Sequence, residues 1–143
     1  MKYSSATNYG LHTMAYLYLA PKGESVGVDV LAKVQDLSPT YLSKILTKLV
    51  KAGLIESTPG AKGGYRIVKR NGDISFLQVI QAIEGSNQLF HCSLDHDHPH
   101  NEGCLIEQAM LRAEEQMVRQ LEQTFISDIA EQMKASQKAV DLN

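Results

Sequence analysis

Apolar residues recur along this chain first with the period of a helix, then in two short strand-like runs, and then with helical period again to near the C-terminus. Residues 7–20 place Leu11, Met14, Ala15, Tyr18 and Leu19 three or four apart, and Pro21 with Gly23 ends the run, which predicts a first helix. Val28, Leu31 and Ala32, followed after a polar break by Leu37, predict a second, shorter helix and a tight turn. A third helix is expected from Ser38-Pro39, because Ser can cap free N–H groups and Pro is tolerated at the first helical position. Its apolar side is Leu42, Ile45, Leu46, Leu49 and Val50, and Gly53 suits a left-handed stop. Leu54 to Ser57 and Gly64 to Val68 then predict two strands joined by the turn-rich TPGAKGG. Ser75 and Gln78 have capping-box spacing, Ile74 and Val79 fit a hydrophobic staple, and a fourth helix is expected over 76–84, ending at Gly85. From Cys104 to about Lys134 the series Ile106, Met110, Ala113, Met117, Leu121, Phe125, Ile129, Met133 predicts one uninterrupted amphipathic helix.

This order predicts a mainly α fold with a small β-hairpin wing: a winged helix-turn-helix followed by a long C-terminal dimerisation helix. The expected parts are a DNA-binding domain over 1–85, a Cys/His sensor loop over 86–103, a dimerisation helix over 104–135 and a flexible tail over 136–143. A helix of that length cannot bury its apolar stripe against one small winged helix, so a second copy is the expected partner. Two-fold symmetry would then match two recognition helices to a palindromic site.

Charge sharpens the picture. The net charge of the 143 residues is -2, which alone argues against a nucleic-acid partner, yet it is unevenly spread. Residues 1–84 carry ten Lys/Arg against six Asp/Glu, whereas residues 85–143 carry four against ten. Between 44 and 70 there are seven basic residues and one acid, Glu56, the footprint expected of phosphate contact. The polar face of the third helix, with Thr40, Ser43, Lys44, Thr47, Lys48 and Lys51, suits a helix lying in a major groove with Ser38 and Tyr41 at its start. The alternative is a solvated helix with solubilising lysines. Lys62 at the hairpin tip, with Arg66, Lys69 and Arg70 on or beside the strands, supplies candidate phosphate contacts. No apolar run approaches the length of a membrane span, and the N-terminus lacks a secretory pattern, so the expected location is the cytoplasm.

Four of five histidines (His91, His96, His98, His100) and both cysteines (Cys92, Cys104) fall within fourteen residues, in HCSLDHDHPHNEGC. Thiolate and imidazole donors so concentrated suit a transition metal or an iron–sulfur cluster. Two further readings stay open: a redox-dependent disulfide, and a solvent-exposed loop without a role. Cys104 sits where the long helix starts, a place that favours a thiolate and serves ligation or oxidation equally. Nothing resembles a nucleophile–base pair, so an enzyme is not expected.

Together NYGLHTMAYLYLA, SPTYLSKILTKLVKAGLIES, GAKGGYRIVK, ISFLQVIQAIEG, the cysteine loop and TFISDI resemble the Rrf-two family of winged helix-turn-helix regulators, to which IscR and NsrR belong. The resemblance covers nearly the whole chain. It implies a dimeric transcription regulator, usually a repressor, that binds double-stranded DNA and senses redox state, nitric oxide or cluster availability. Cluster-binding members have three cysteines in the loop; Cys92 and Cys104 match the outer two, and the middle one falls at His98. The implied cofactor is a two-iron iron–sulfur cluster or a transition metal on Cys92, His98 and Cys104, with Glu107, His12, Asn8, His96 and His100 as alternates. Where many members carry an arginine before the first wing glycine, this chain has Pro59-Gly60, and Lys62 replaces part of the charge. The remaining alternatives are a metal-free thiol switch and a constitutive regulator that has lost its sensor.

Overall fold

The computed structural model describes residues 3–21, 23–68, 73–86, 88–92, 94 and 104–136. Six helices and one hairpin follow in the order α1 (Ser5–Leu19), α2 (Val28–Val34), α3 (Pro39–Lys51), β1 (Ile55–Thr58), β2 (Gly64–Ile67), α4 (Phe76–Glu84), α5 (Leu105–Glu122) and α6 (Ile126–Ser136). None is long and apolar enough to cross a membrane, among the described residues.

Helix starts follow the local chemistry. Ser4, Ser38 and Ser75 each accept a hydrogen bond from a backbone N–H of the first turn they cap, which satisfies a donor that the helix itself cannot. At α4 the box is complete: Gln78 N–H donates to Ser75 Oγ at 3.2 Å and Ser75 N–H to Gln78 Oε1 at 2.9 Å. Asp36, between α2 and α3, is the one non-glycine residue with positive φ among the described residues (55°). Leu31, Ala32, Leu42, Leu46 and Leu49 bury the α2–α3 pair against Met14 and Leu17 of α1.

The hairpin is antiparallel, with Ile55 opposite Ile67, Glu56 opposite Arg66, Ser57 opposite Tyr65 and Thr58 opposite Gly64. Val26 extends it, its backbone exchanging two hydrogen bonds with Tyr65 at 2.9 and 2.8 Å. Gly64 lies at φ 147°, and a Cβ there would stand 2.5 Å from the Val26 carbonyl carbon. Only glycine permits this approach of wing to helix-turn-helix.

The C-terminal segment corrects one expectation. The single helix expected over 104–134 is two helices, α5 and α6, parted at Gln123, Thr124 and Phe125. The break has a cause in the backbone: Phe76 N–H donates to the Thr124 carbonyl (2.7 Å) and Ile126 N–H to the Ile74 carbonyl (2.8 Å). These bonds use groups that a continuous helix would pair internally. Ile126 then enters the common core and Ala130 is buried as α6 packs along α1. No residue of α5 is buried. Of the expected tail only Ser136, which closes α6, lies within the described residues.

Candidate nucleic-acid interface and cysteine site

Helix α3 is held by Leu42, Ile45, Leu46 and Leu49, all at most 3% exposed. Its other side therefore faces outward with little freedom to roll. Thr40, Lys44, Thr47 and Lys48 are exposed there, with Ser43 and Tyr41 half-buried. Ser38 uses its Oγ as the cap, accepting from Tyr41 N–H at 3.2 Å. Tyr41 meets the Tyr9 ring edge-on at 5.9 Å, so its body braces α1 against α3. Thr47 Oγ1 donates to the Ser43 carbonyl at 2.8 Å.

The cations divide into engaged and free. Lys48 Nζ donates to the Ile83 carbonyl near the end of α4 at 3.4 Å, and Arg66 Nε donates to Glu56 Oε1 at 2.7 Å across the hairpin. That pair is more than 40% exposed on both sides, so it contributes little stability, but it directs the guanidinium to a carboxylate. Lys44 and Lys62 are exposed and make no hydrogen bond or ion pair within the described residues. Lys69 and Arg70 lie outside those residues.

Around the cysteines, segment 88–92 is strapped to α5. Gln88 Nε2 donates to Glu107 Oε1 (3.1 Å), Cys92 N–H to Glu107 Oε2 (3.2 Å) and Leu89 N–H to Glu114 Oε1 (2.9 Å). Cys104 is the N-cap residue of α5. Cys92 and Cys104 are half-buried and are not in a disulfide, and Cys92 Sγ donates to the Leu94 carbonyl at 3.7 Å. Backbone hydrogen bonding at Glu107, opposed by burial and reinforced by the bond to Cys92 and by the Ile106 backbone, holds the Cys104 thiol below its ordinary value. At Cys92 a backbone hydrogen bond at Leu94 pulls the other way, but burial, the bond to Cys104 and the negative charge of Cys104 and Glu107 raise its thiol. Of the two, Cys104 is thus the better thiolate.

His98, His96 and His100 lie outside the described residues. His12 is exposed on α1 with Nδ1 2.8 Å from the Asn8 carbonyl, one turn away on its own helix. Among the described residues no group of three or more His, Cys, Asp or Glu is placed to hold a metal. Glu107 stands beside Cys92, but both its oxygens already accept from the chain.

Sequence reasoning missed the roles of Gln88 and Glu114; the seven-residue spacing of Glu107 and Glu114 places both on one helix face and was the available signal. It also missed Glu84. That carboxylate, the last residue of α4, accepts from Ser4 N–H (2.7 Å), Ser4 Oγ (2.6 Å) and Thr7 Oγ1 (2.5 Å) at the start of α1.

A family model, Rrf2, described as an iron-dependent transcriptional regulator, matches residues 3–132. The chain belongs to the Rrf2 family. The HTH-type transcriptional regulator designation is carried by a similar Lactococcus lactis protein, YffB, 31% identical over 138 residues that span 92% of this chain and 88% of that one. Among solved structures, T. potens IscR is similar in fold, with a TM-score of 0.76 and 24% identity over 99% of this chain and 94% of that one. The oxidized form of Staphylococcus aureus CymR is 29% identical, with a TM-score of 0.72 over 92% and 97% of the two chains. This Rrf2 chain is thus a transcriptional regulator on a mainly helical winged helix-turn-helix fold, and not an enzyme.

Proposed function

We propose that this Rrf2 member is a cytoplasmic, homodimeric DNA-binding repressor. It docks α3 in the major groove of a palindromic operator, with the wing on the adjoining backbone. Operator affinity follows the redox, nitric-oxide or iron–sulfur state of the segment bracketed by Cys92 and Cys104. The observation that carries the DNA reading is the outward face of α3: Thr40, Lys44 and Thr47 stand on four buried apolar anchors, and the turn of the hairpin that follows bears an exposed Lys62. A rigid helix with short hydroxyls and a free amine matches what base edges and phosphates require. Fluorescence anisotropy with a duplex selected from a random pool tests it. The logarithm of the affinity is expected to fall linearly with the logarithm of salt concentration; salt-independent binding, or none, would sink the reading.

The sensing half of the proposal rests on Cys104 capping α5 while the Cys92 N–H is held by Glu107 of the same helix, and the likeness to an oxidized CymR favours a redox signal. A cluster or metal would draw on Cys92, Cys104 and His98. Glu107 does not fit as a further ligand, because ligation would strip both Gln88 and the Cys92 N–H of their acceptor. Visible absorbance of anaerobic protein that disappears in Cys92→Ala and Cys104→Ala would support the cluster form. Colourless, metal-free protein from iron-replete cells would exclude it.

A further inference from the structure

We infer that the cavity between the end of α1, the wing and the start of α6 binds a small organic cation, a primary amine carried on an apolar body. The site is separate from the outward face of α3 and from the cysteine segment, neither of which lines it among the described residues.

The space arises from how three elements meet. Both β2 and α6 pack against α1, and α6 is fixed at its first residue, where the Ile126 N–H donates to the Ile74 carbonyl at 2.8 Å. The cavity left between them holds about 680 Å³, within the roughly 300–1,000 Å³ typical of small-molecule sites. Its floor is apolar: Leu17, Ile74 and Ile126 line it and are at most 5% exposed. Ile67 of β2 and Tyr18 of α1 add apolar wall, and Tyr18 is 41% exposed. An aromatic side chain left open to water beside aliphatic groups is surface that the body of a ligand would cover.

Charge decides the class of ligand. Four carboxylates, Glu24, Glu56, Asp73 and Glu131, line the cavity against one guanidinium, that of Arg66. Arg66 is spent on Glu56, with Nε donating to Oε1 at 2.7 Å. Asp73 is spent as well, since it accepts from the Ile74 N–H at 3.0 Å and from the Ser127 hydroxyl. Glu24 and Glu131 make no hydrogen bond or ion pair among the described residues. They come from different walls, Glu24 from the segment after α1 and Glu131 from α6. An anion would meet like charge here, and a neutral apolar molecule would leave both carboxylates unanswered. A protonated amine carries three donors on one compact charge, enough to serve Glu24 and Glu131 together while its apolar body lies on the floor.

Methyl NMR of the full chain tests the assignment, with 2-phenylethylamine and hexylamine as cationic probes. Two comparison probes, 2-phenylethanol and 3-phenylpropionate, keep the apolar body without the positive charge, and ammonium chloride keeps the charge without the body. At least one amine should give saturable shifts centred on the methyl groups of Leu17, Ile67, Ile74 and Ile126. The alcohol and the carboxylate should bind at least about fivefold more weakly, and ammonium chloride should leave those methyl groups unmoved. Glu24→Gln and Glu131→Gln should each weaken the amine by about two- to fivefold, as expected of a partly exposed ion pair. Their thermal midpoints should match the wild type, because neither carboxylate has a partner to lose within the fold. The double variant should bind amine and alcohol alike. Failure of both amines to saturate, shifts centred elsewhere, equal binding of amine and alcohol by the wild type, or a preference for the amine that survives in the double variant would each overturn the inference. No duplex is present in the experiment, so its result is independent of the regulator reading.

Discussion

At the scale of single residues, the carboxylates do more than the charge count suggests. Glu84 accepts three hydrogen bonds at the start of α1. The Ser4 and Thr7 side chains and the Ser4 N–H, helped by nearby Lys48 and opposed by burial, hold its carboxyl below the ordinary range. A folded value below the unfolded one means the contribution is complete above the unfolded carboxylate range and is lost as pH falls through the folded value. Thermal midpoints measured on the acid side should therefore fall more steeply in the wild type than in Glu84→Gln. Parallel acid limbs would show that Glu84 is not the linked group. Among the cations, Lys44 makes no hydrogen bond or ion pair among the described residues, whereas Lys48 and Arg66 are engaged within the fold. Lys44→Ala should weaken duplex binding and lower the salt slope by about one, without changing the thermal midpoint. Lys48→Ala should lower the midpoint as well, because it unties α3 from α4. Equal effects on the midpoint would refute the division. None of these pairings was legible in the sequence. Lys44 and Lys48 sit one turn apart on the same polar face, and only tertiary placement beside α4 distinguishes them.

At the scale of elements, legibility followed the range of the interaction that fixes each boundary. The starts of α3 and α4 were readable because Ser38-Pro39 and Ser75-x-x-Gln78 act within one turn. The wing was readable from its strands and turn, although Val26, which extends it, was hidden in a loop 39 residues before its partner Tyr65. The break between α5 and α6 was invisible for a different reason. Leu121, Phe125 and Ile129 keep helical phase straight through it, so periodicity reported continuity while distant backbone groups at Ile74 and Phe76 took the hydrogen bonds. The consequence is energetic: Ile126 is 2% exposed and anchors α6 to the DNA-binding half. Ile126→Ala should cost about 2–5 kcal/mol in denaturant unfolding. A loss below about 1 kcal/mol would mean that the site collapses around the gap or that α6 docks weakly. In the wing, Gly64→Ala should separate the hairpin from Val26, lowering the unfolding midpoint and duplex affinity together, since the new Cβ would meet backbone that cannot turn aside.

At the scale of the whole molecule, the docking of α6 narrows the surface available for self-association. An uninterrupted helix would have offered its entire stripe to a partner, but α6 spends Ile126 and Ala130 on the core of its own chain, leaving α5 to carry the proposed dimer. Helix α5 fits that task in an unusual way: in eighteen residues it buries none, and Leu105 and Ile106 stand 78% and 68% exposed. Adjacent exposed aliphatic residues at the start of a helix are costly in water and are the expected centre of an interface. They lie directly after Cys104, so the same turn would face the second copy and carry that cysteine. A charge there should act on assembly first. Ile106→Glu should convert the dimer to a monomer in sedimentation velocity while unfolding retains a single cooperative transition, and should weaken operator binding far more than half-site binding, because two linked recognition helices gain from effective concentration. A variant that remains dimeric with undiminished operator affinity would move the interface away from the first turns of α5. It would also remove the reason for expecting the redox state of Cys104 to be felt by both subunits at once.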